Sequence, residues 1–173
     1  MDYQKQSHEF PPVWNEQSRI LILGSFPSVK SREEGFFYGH PRNRFWKVLT
    51  ALLGCEEPTS IEEKKKMLLS HGIALWDVIE SCEIKGSSDS TIRHVVPNDF
   101  SEILEKSHVK TIFANGQTAG RLYQKYVEEK TGIAATTLPS TSPANAAWSL
   151  ERLVECYRKE MEKCLYHSGK NNC

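Results

Sequence analysis

The sequence predicts an α/β protein: a three-layer α/β/α sandwich around a central, mostly parallel four-stranded sheet. Three observations lead there. Short apolar runs of strand length alternate along the chain with longer segments in which apolar residues recur at helical spacing. The run at 20–24 is apolar throughout rather than at every second residue, as expected of a central strand covered on both faces. Helices between strands supply the crossovers that parallel pairing requires.

The elements follow in order. Residues 1–17 carry no sustained pattern and read as an irregular N-terminal extension. Residues 19–24 (RILILG) form an apolar run closed by Gly24, a buried central strand. A polar loop leads to residues 43–53, where Phe45, Trp46, Leu49, Leu52 and Leu53 mark one buried helix face. Ser60, with Glu63 three residues on, predicts a capping box that opens a helix running to about His71, with Gly72 as its stop. Residues 73–76 are the second strand. Residues 77–81 read as a short helical turn, and 83–90 as a polar loop rich in Gly and Ser. Asn98 or Asp99 caps a helix through Lys106. Residues 109–114 (VKTIFA) are the third strand, and 116–130 a helix buried through Ala119, Leu122, Tyr123, Tyr126 and Val127. Residues 134–138 are the fourth strand. From about Pro143 a long helix buries Leu150, Leu153, Val154, Tyr157, Met161 and Leu165, and the tail 167–173 is expected to fray. The 173 residues read as a single domain.

Composition narrows the function classes. Hydrophobic residues at 39% and charged residues at 25% are ordinary globular values. The five cysteines form no Cys-x-x-Cys pair, so neither a disulfide framework nor a zinc or iron–sulfur site is suggested, and a reduced intracellular setting follows. His40, His71, His94 and His108 lack ligand spacing, so no metal and no cofactor is expected. The N-terminus has no signal layout and no apolar run spans a membrane, so a soluble, cytoplasmic, monomeric protein is expected. A net charge of zero counts against coating nucleic acid by bulk electrostatics. From Lys30 to Lys47, however, Lys30, Arg32, Arg42, Arg44 and Lys47 outnumber Glu33 and Glu34, which leaves either a local cationic patch or a solvated loop.

Ligands of open parallel sheets bind beyond the carboxyl ends of the strands. Three segments leave strands there: 24–43, 115–117 and 139–145. Residues 24–28 (GSFPS) lack the second Gly of a nucleophile elbow and the Gly-Lys-Ser/Thr of a P-loop. Residues 36–46 (FFYGHPRNRFW) set aromatics beside cations, the combination that grips an unstacked base. Phe45 and Trp46 fall on the buried helix face, Tyr38 suits either the core or a base, and Asn43 could equally be an N-cap. Residues 138–145 (LPSTSPAN) offer small donors at a helix start, suited to phosphate, although Ser142 capping with Pro143 at the first helical position is the plainer reading.

Taken together, Gly24-x-x-Pro27, the aromatic-Gly-His-Pro-x-Asn-x-Phe-Trp run and the Pro-Ser-x-Ser loop resemble the uracil-DNA glycosylase superfamily, over about residues 20–153. The three motifs are most similar to its hypoxanthine-DNA (deoxyinosine) glycosylase branch, related to the mismatch-specific uracil/thymine enzymes. The resemblance implies a monofunctional, metal-independent glycosylase in base-excision repair, hydrolysing the N-glycosidic bond of a deaminated base, hypoxanthine before uracil. Its partner is DNA containing that base. The mismatch-specific enzymes place a water-orienting Asn just before the first-motif Pro, where this chain has Phe26. The resemblance therefore puts the catalytic, water-positioning role on Asn43. It implies base contacts from Phe26, Tyr38, Asn115, Ser25 and Pro27, and DNA contacts from Ser140, Thr141, Ser142, Pro143, Ala144, Asn145, Lys30 and Arg42. Asp77 is the one acidic candidate, with a capping role as the plainer reading. The departure at Phe26 also keeps open a binder of damaged DNA or nucleotides that has lost the chemistry.

Overall fold

The computed structural model of the chain describes residues 1–165. Strands β1 (Gln4–Ser7) and β2 (Ile20–Gly24) precede helices α1 (Val29–Glu34), α2 (Phe45–Leu53) and α3 (Ile61–Ser70). Strands β3 (Ile73–Asp77), β4 (Ile79–Ile84) and β5 (Arg93–Pro97) lead to helix α4 (Ser101–Lys106). Strand β6 (Thr111–Asn115), helices α5 (Gln117–Tyr126) and α6 (Glu128–Thr131), strand β7 (Ala135–Leu138) and helix α7 (Leu150–Leu165) complete the order.

The parallel sheet has the order β3-β2-β6-β7, with every neighbouring pair parallel. Strand β2 lies inside it, and all five of its residues are buried. Alternation along β2 divides the core. Ile20 and Ile22 face a cluster with α2, α3 and α7, while Leu21 and Leu23 face one with α4 and α5. The three expected layers are therefore present.

Helix starts follow local chemistry. Ser60 Oγ accepts from the Glu63 amide at 3.1 Å, while Glu63 reaches back one residue past the cap, to the Thr59 amide at 2.6 Å. Asp99 accepts from the Ser101 amide at the head of α4. Asn98 is buried instead and donates to the Asp77 carbonyl.

Four expectations are corrected. The N-terminal extension is not irregular: β1 pairs antiparallel with β4, and Phe10 and Val13 enter the core. The expected helical turn is instead strand β4, which takes the first two residues of the expected 83–90 loop; the rest of that loop joins β4 to β5, so a second, antiparallel sheet β1-β4-β5 stands beside the parallel one. The loop after β2 contains α1, capped by Ser28. The long C-terminal helix starts at Leu150, with Ser149 Oγ accepting from the Arg152 amide, so Pro143 is not a first-turn residue. The tail expected over 167–173 lies outside the described residues.

Candidate active site

The carboxyl ends of β2, β3 and β6 bring Gly24, Asp77 and Asn115 to one edge, and the segments 24–43 and 139–145 close over it. Asn43 sits just before α2, where its Oδ1 accepts from the Phe45 amide at 3.0 Å. The same oxygen accepts from Thr141 Oγ1 at 2.8 Å. Thr141 is fully buried, and Asn115 holds it from both sides: Nδ2 donates to Thr141 Oγ1 at 3.0 Å and Oδ1 accepts from the Thr141 amide at 3.0 Å. A continuous chain Asn115–Thr141–Asn43 thus ties β6 to both loops. It fixes the Asn43 amide with both acceptor sites filled and its Nδ2 hydrogens uncommitted, because Phe45 N–H can only donate.

Tyr38 lies in the left-handed region at φ 52°, uncommon for a bulky residue, and stacks on Phe45 with ring centroids 4.0 Å apart. Its hydroxyl is buried without a well-formed hydrogen bond. Burial first, then the charge of Asp77, holds the phenol pKa well above its ordinary value, and the nearby Asn115 amide offsets this only in part. Gly24 is required by close approach: a Cβ there would collide with Asp77 Oδ1 and stand 3.1 Å from the Tyr38 hydroxyl.

Asp77 is not a helix cap. It is 3% exposed, and its Oδ2 accepts from His8 Nε2 at 2.7 Å. Ser25 is buried and donates to both carboxylate oxygens of Asp89 at 3.1 Å. Burial raises the Asp89 pKa, partly offset by that hydroxyl. Phe26 and Pro27 are buried, Phe26 under the Arg32 guanidinium at 5.5 Å and edge-on to His8.

The 139–145 loop is organised by a residue that the sequence reading counted only as one of the local charges. The Arg44 guanidinium donates to the carbonyls of Ser142 at 3.0 Å and Asn145 at 3.1 Å, and also to those of Thr141 and Trp148. A planar fork that bonds several carbonyls at once is a property of arginine, and the adjacency to Asn43 is the signal that could have found it. Among the expected DNA-contact residues, Thr141 is turned wholly inward and spent on the network. Ser140 and Ser142 are half-buried, Pro143 and Ala144 exposed. The Ser142 amide is taken by Ser140 Oγ and the Ala144 amide by Ser142 Oγ, so the uncommitted donors here are hydroxyls rather than backbone N–H groups. Asn145 folds back to donate to the Ser140 carbonyl.

The cationic patch is smaller than its residue count. Lys30 lies 3.8 Å from Glu33 and 3.9 Å from Glu34, Arg32 turns inward to the Gly86 carbonyl, and Arg44 is committed to its loop. Arg42 and Lys47 remain exposed. The histidines are engaged apart from one another: His40 Nδ1 accepts from the Arg42 amide, His71 Nδ1 meets the Met67 carbonyl, and His94 pairs with Glu83. Among the described residues no group of three or more His, Cys, Asp or Glu is placed to hold a metal ion. No described helix is long and apolar enough to cross a membrane.

Comparison with known proteins gives the same assignment as the motifs. A protein called hypoxanthine DNA glycosylase from Methanosarcina acetivorans is 38% identical over 148 residues, 84% of this chain and 92% of the relative. One of the same name from Methanosarcina barkeri is 34% identical over 139 residues, 79% and 86% of the two chains. The solution NMR structure of a proposed uracil DNA glycosylase from Methanosarcina acetivorans superposes with a TM-score of 0.73 at 35% identity, covering 87% of this chain and 95% of the other. The model of the uracil DNA glycosylase superfamily matches residues 11–163, and the chain belongs to that family.

Proposed function

We propose that the protein is a DNA glycosylase that removes a deaminated base, hypoxanthine before uracil, by hydrolysis of the N-glycosidic bond. The observation that carries this reading is the Asn115–Thr141–Asn43 chain, which fixes one amide at the strand-end edge where Tyr38 also stands beside Gly24. Related proteins named hypoxanthine DNA glycosylase support the choice of base.

The damaged nucleotide leaves the base stack and enters at the strand ends, where Tyr38 offers a ring face. A water oxygen then bonds to the anomeric carbon as the carbon–nitrogen bond breaks. The bonding pair leaves with the base, and a proton passes from the water to solvent or to the base. An amide has no protonation change near neutral pH and cannot act as a general base. With its carbonyl already accepting twice, Asn43 has Nδ2–H left to offer and holds the water by donating to its oxygen. Rate therefore comes from placement, and from stabilising charge on an oxocarbenium-like sugar and the departing base. The product is an abasic site. Ser140, Ser142, Arg42 and the exposed Pro143–Ala144 turn are proposed to meet the phosphates of the damaged strand.

The test is base release from oligonucleotides carrying deoxyinosine, deoxyuridine or a G·T mismatch. Hypoxanthine should be released fastest, without strand cleavage, and Asn43→Ala should lower turnover by roughly 10²–10³. Tight binding of lesion oligonucleotides with no free base released would instead identify a non-catalytic binder.

A further inference from the structure

The N-terminal strap contributes a side chain to this edge that neither the motifs nor the comparisons point to. His8 follows β1 and reaches across to the end of β3, where both side chains of the His8–Asp77 pair are almost fully buried, at 2% and 5% exposure. The imidazole is wedged among three rings, 4.4 Å from Phe10, 5.8 Å from Phe37 and 6.2 Å from Phe26. It makes one polar contact, to Asp77 Oδ2, while its buried Nδ1 has no partner. The carboxylate can only accept, so the shared hydrogen sits on His8 Nε2. The other oxygen, Oδ1, is directed at Gly24, beside the Tyr38 hydroxyl. A carboxylate buried at the carboxyl end of a parallel sheet, with one oxygen clamped by His8 and the other against Gly24 beside the Tyr38 hydroxyl, is placed to serve as an acceptor.

Deamination changes what such an acceptor meets. Adenine and cytosine present a bare ring nitrogen at the position where hypoxanthine and uracil carry a ring N–H. An acceptor-only group attracts the N–H and repels the lone pair, which discriminates through an unfavourable contact as well as a favourable one. We propose that His8 is a positioning residue of the site: by clamping Oδ2 it aims Asp77 Oδ1 to accept the ring N–H that deamination creates. This rests on the glycosylase reading above and adds to it the origin of selectivity against undamaged bases.

The test compares single-turnover release of hypoxanthine and of adenine from matched duplexes by the parent chain, His8→Phe, His8→Gln and Asp77→Asn, with thermal unfolding of each. Phenylalanine fills the ring pocket without a donor, whereas glutamine restores an N–H at about the same reach. His8→Phe should lower hypoxanthine release about 10–100-fold while remaining folded, and His8→Gln should recover most of it. Asp77→Asn, whose amide can also donate, should lower the hypoxanthine-to-adenine ratio at least about tenfold. His8→Phe at the parent rate, or His8→Phe and His8→Gln equally impaired, overturns the positioning role. Should His8→Phe fail to fold, an unchanged ratio in Asp77→Asn overturns it independently. A parent chain that releases no base from any lesion oligonucleotide overturns the glycosylase reading itself, and an active parent with indifferent variants overturns this inference alone.

Discussion

Asn43 shows how a residue can be found in a sequence while its chemistry is not. The motif places an amide after the His–Pro pair, but which end of the amide is available depends on Thr141, nearly a hundred residues away. Both lone pairs of Oδ1 are occupied, so the group offered to the site is a donor. Asn43→Asp separates the two ends. A carboxylate keeps both accepted hydrogen bonds, and with them the loop, but has no N–H to give. Turnover should therefore fall about as far as in Asn43→Ala, roughly 10²–10³, with the unfolding midpoint near the parent's. If Asn43→Asp releases hypoxanthine at the parent rate, the N–H donor is not required and the donor assignment is wrong. The buried partners were hidden for the same reason. Thr141 and Asn115 read as site donors because their types and loop positions suit that role, and only the register of β6 against β7 shows that they are spent on each other.

Strands and helices were legible where burial is two-sided or amphipathic. The run at 20–24 is apolar because both faces of β2 are covered, and the crossover helices follow from parallel pairing. The antiparallel sheet left little trace. Strands β1 and β5 are largely exposed, Pro97 ends β5, and β4 pairs with register shifts that blur any alternation. The late start of α7 has a different cause. Ser142 and Pro143 would make a favourable helix start, but Arg44 draws the carbonyls of Thr141, Ser142, Asn145 and Trp148 into its fork and holds the segment out of a helix. Lysine in its place has a single ammonium and cannot reach all of these acceptors. Arg44→Lys should cost about 1–3 kcal/mol of stability by denaturant titration, and weaken binding to lesion DNA by loosening the loop. An unfolding midpoint equal to the parent's would show that the loop holds without the fork.

Both faces of the parallel sheet, and the carboxyl-end edge beside Gly24 and Asp77, bury acidic hydroxyls and thiols, which ties the stability of the chain as a whole to alkaline pH. Burial is the main cause in each case. It holds Tyr38, Tyr157 and Tyr123 above their ordinary value of 10.0, with Asp77 adding to the effect at Tyr38 and Cys156 at Tyr157, and it pushes the Cys82 thiol up from 9.0 to about 11. The folded chain keeps these protons at a pH where the unfolded chain releases them. Once pH exceeds about 9 the unfolded state binds fewer protons than the folded state, so stability falls as pH rises; below that both states are protonated and these groups contribute no slope. Tyr38 and Tyr157, whose phenols are shifted furthest, should each contribute up to about 1.4 kcal/mol per pH unit above pH 10. Tyr157 also donates to the Pro139 carbonyl at 2.8 Å, so Tyr157→Phe should be less stable at neutral pH yet lose stability less steeply in alkali. Denaturant midpoints of parent and Tyr157→Phe between pH 7 and pH 11 test this. Two parallel curves would show that the buried phenol does not set the alkaline limb, because a group that ionises equally in both states cannot bend the profile.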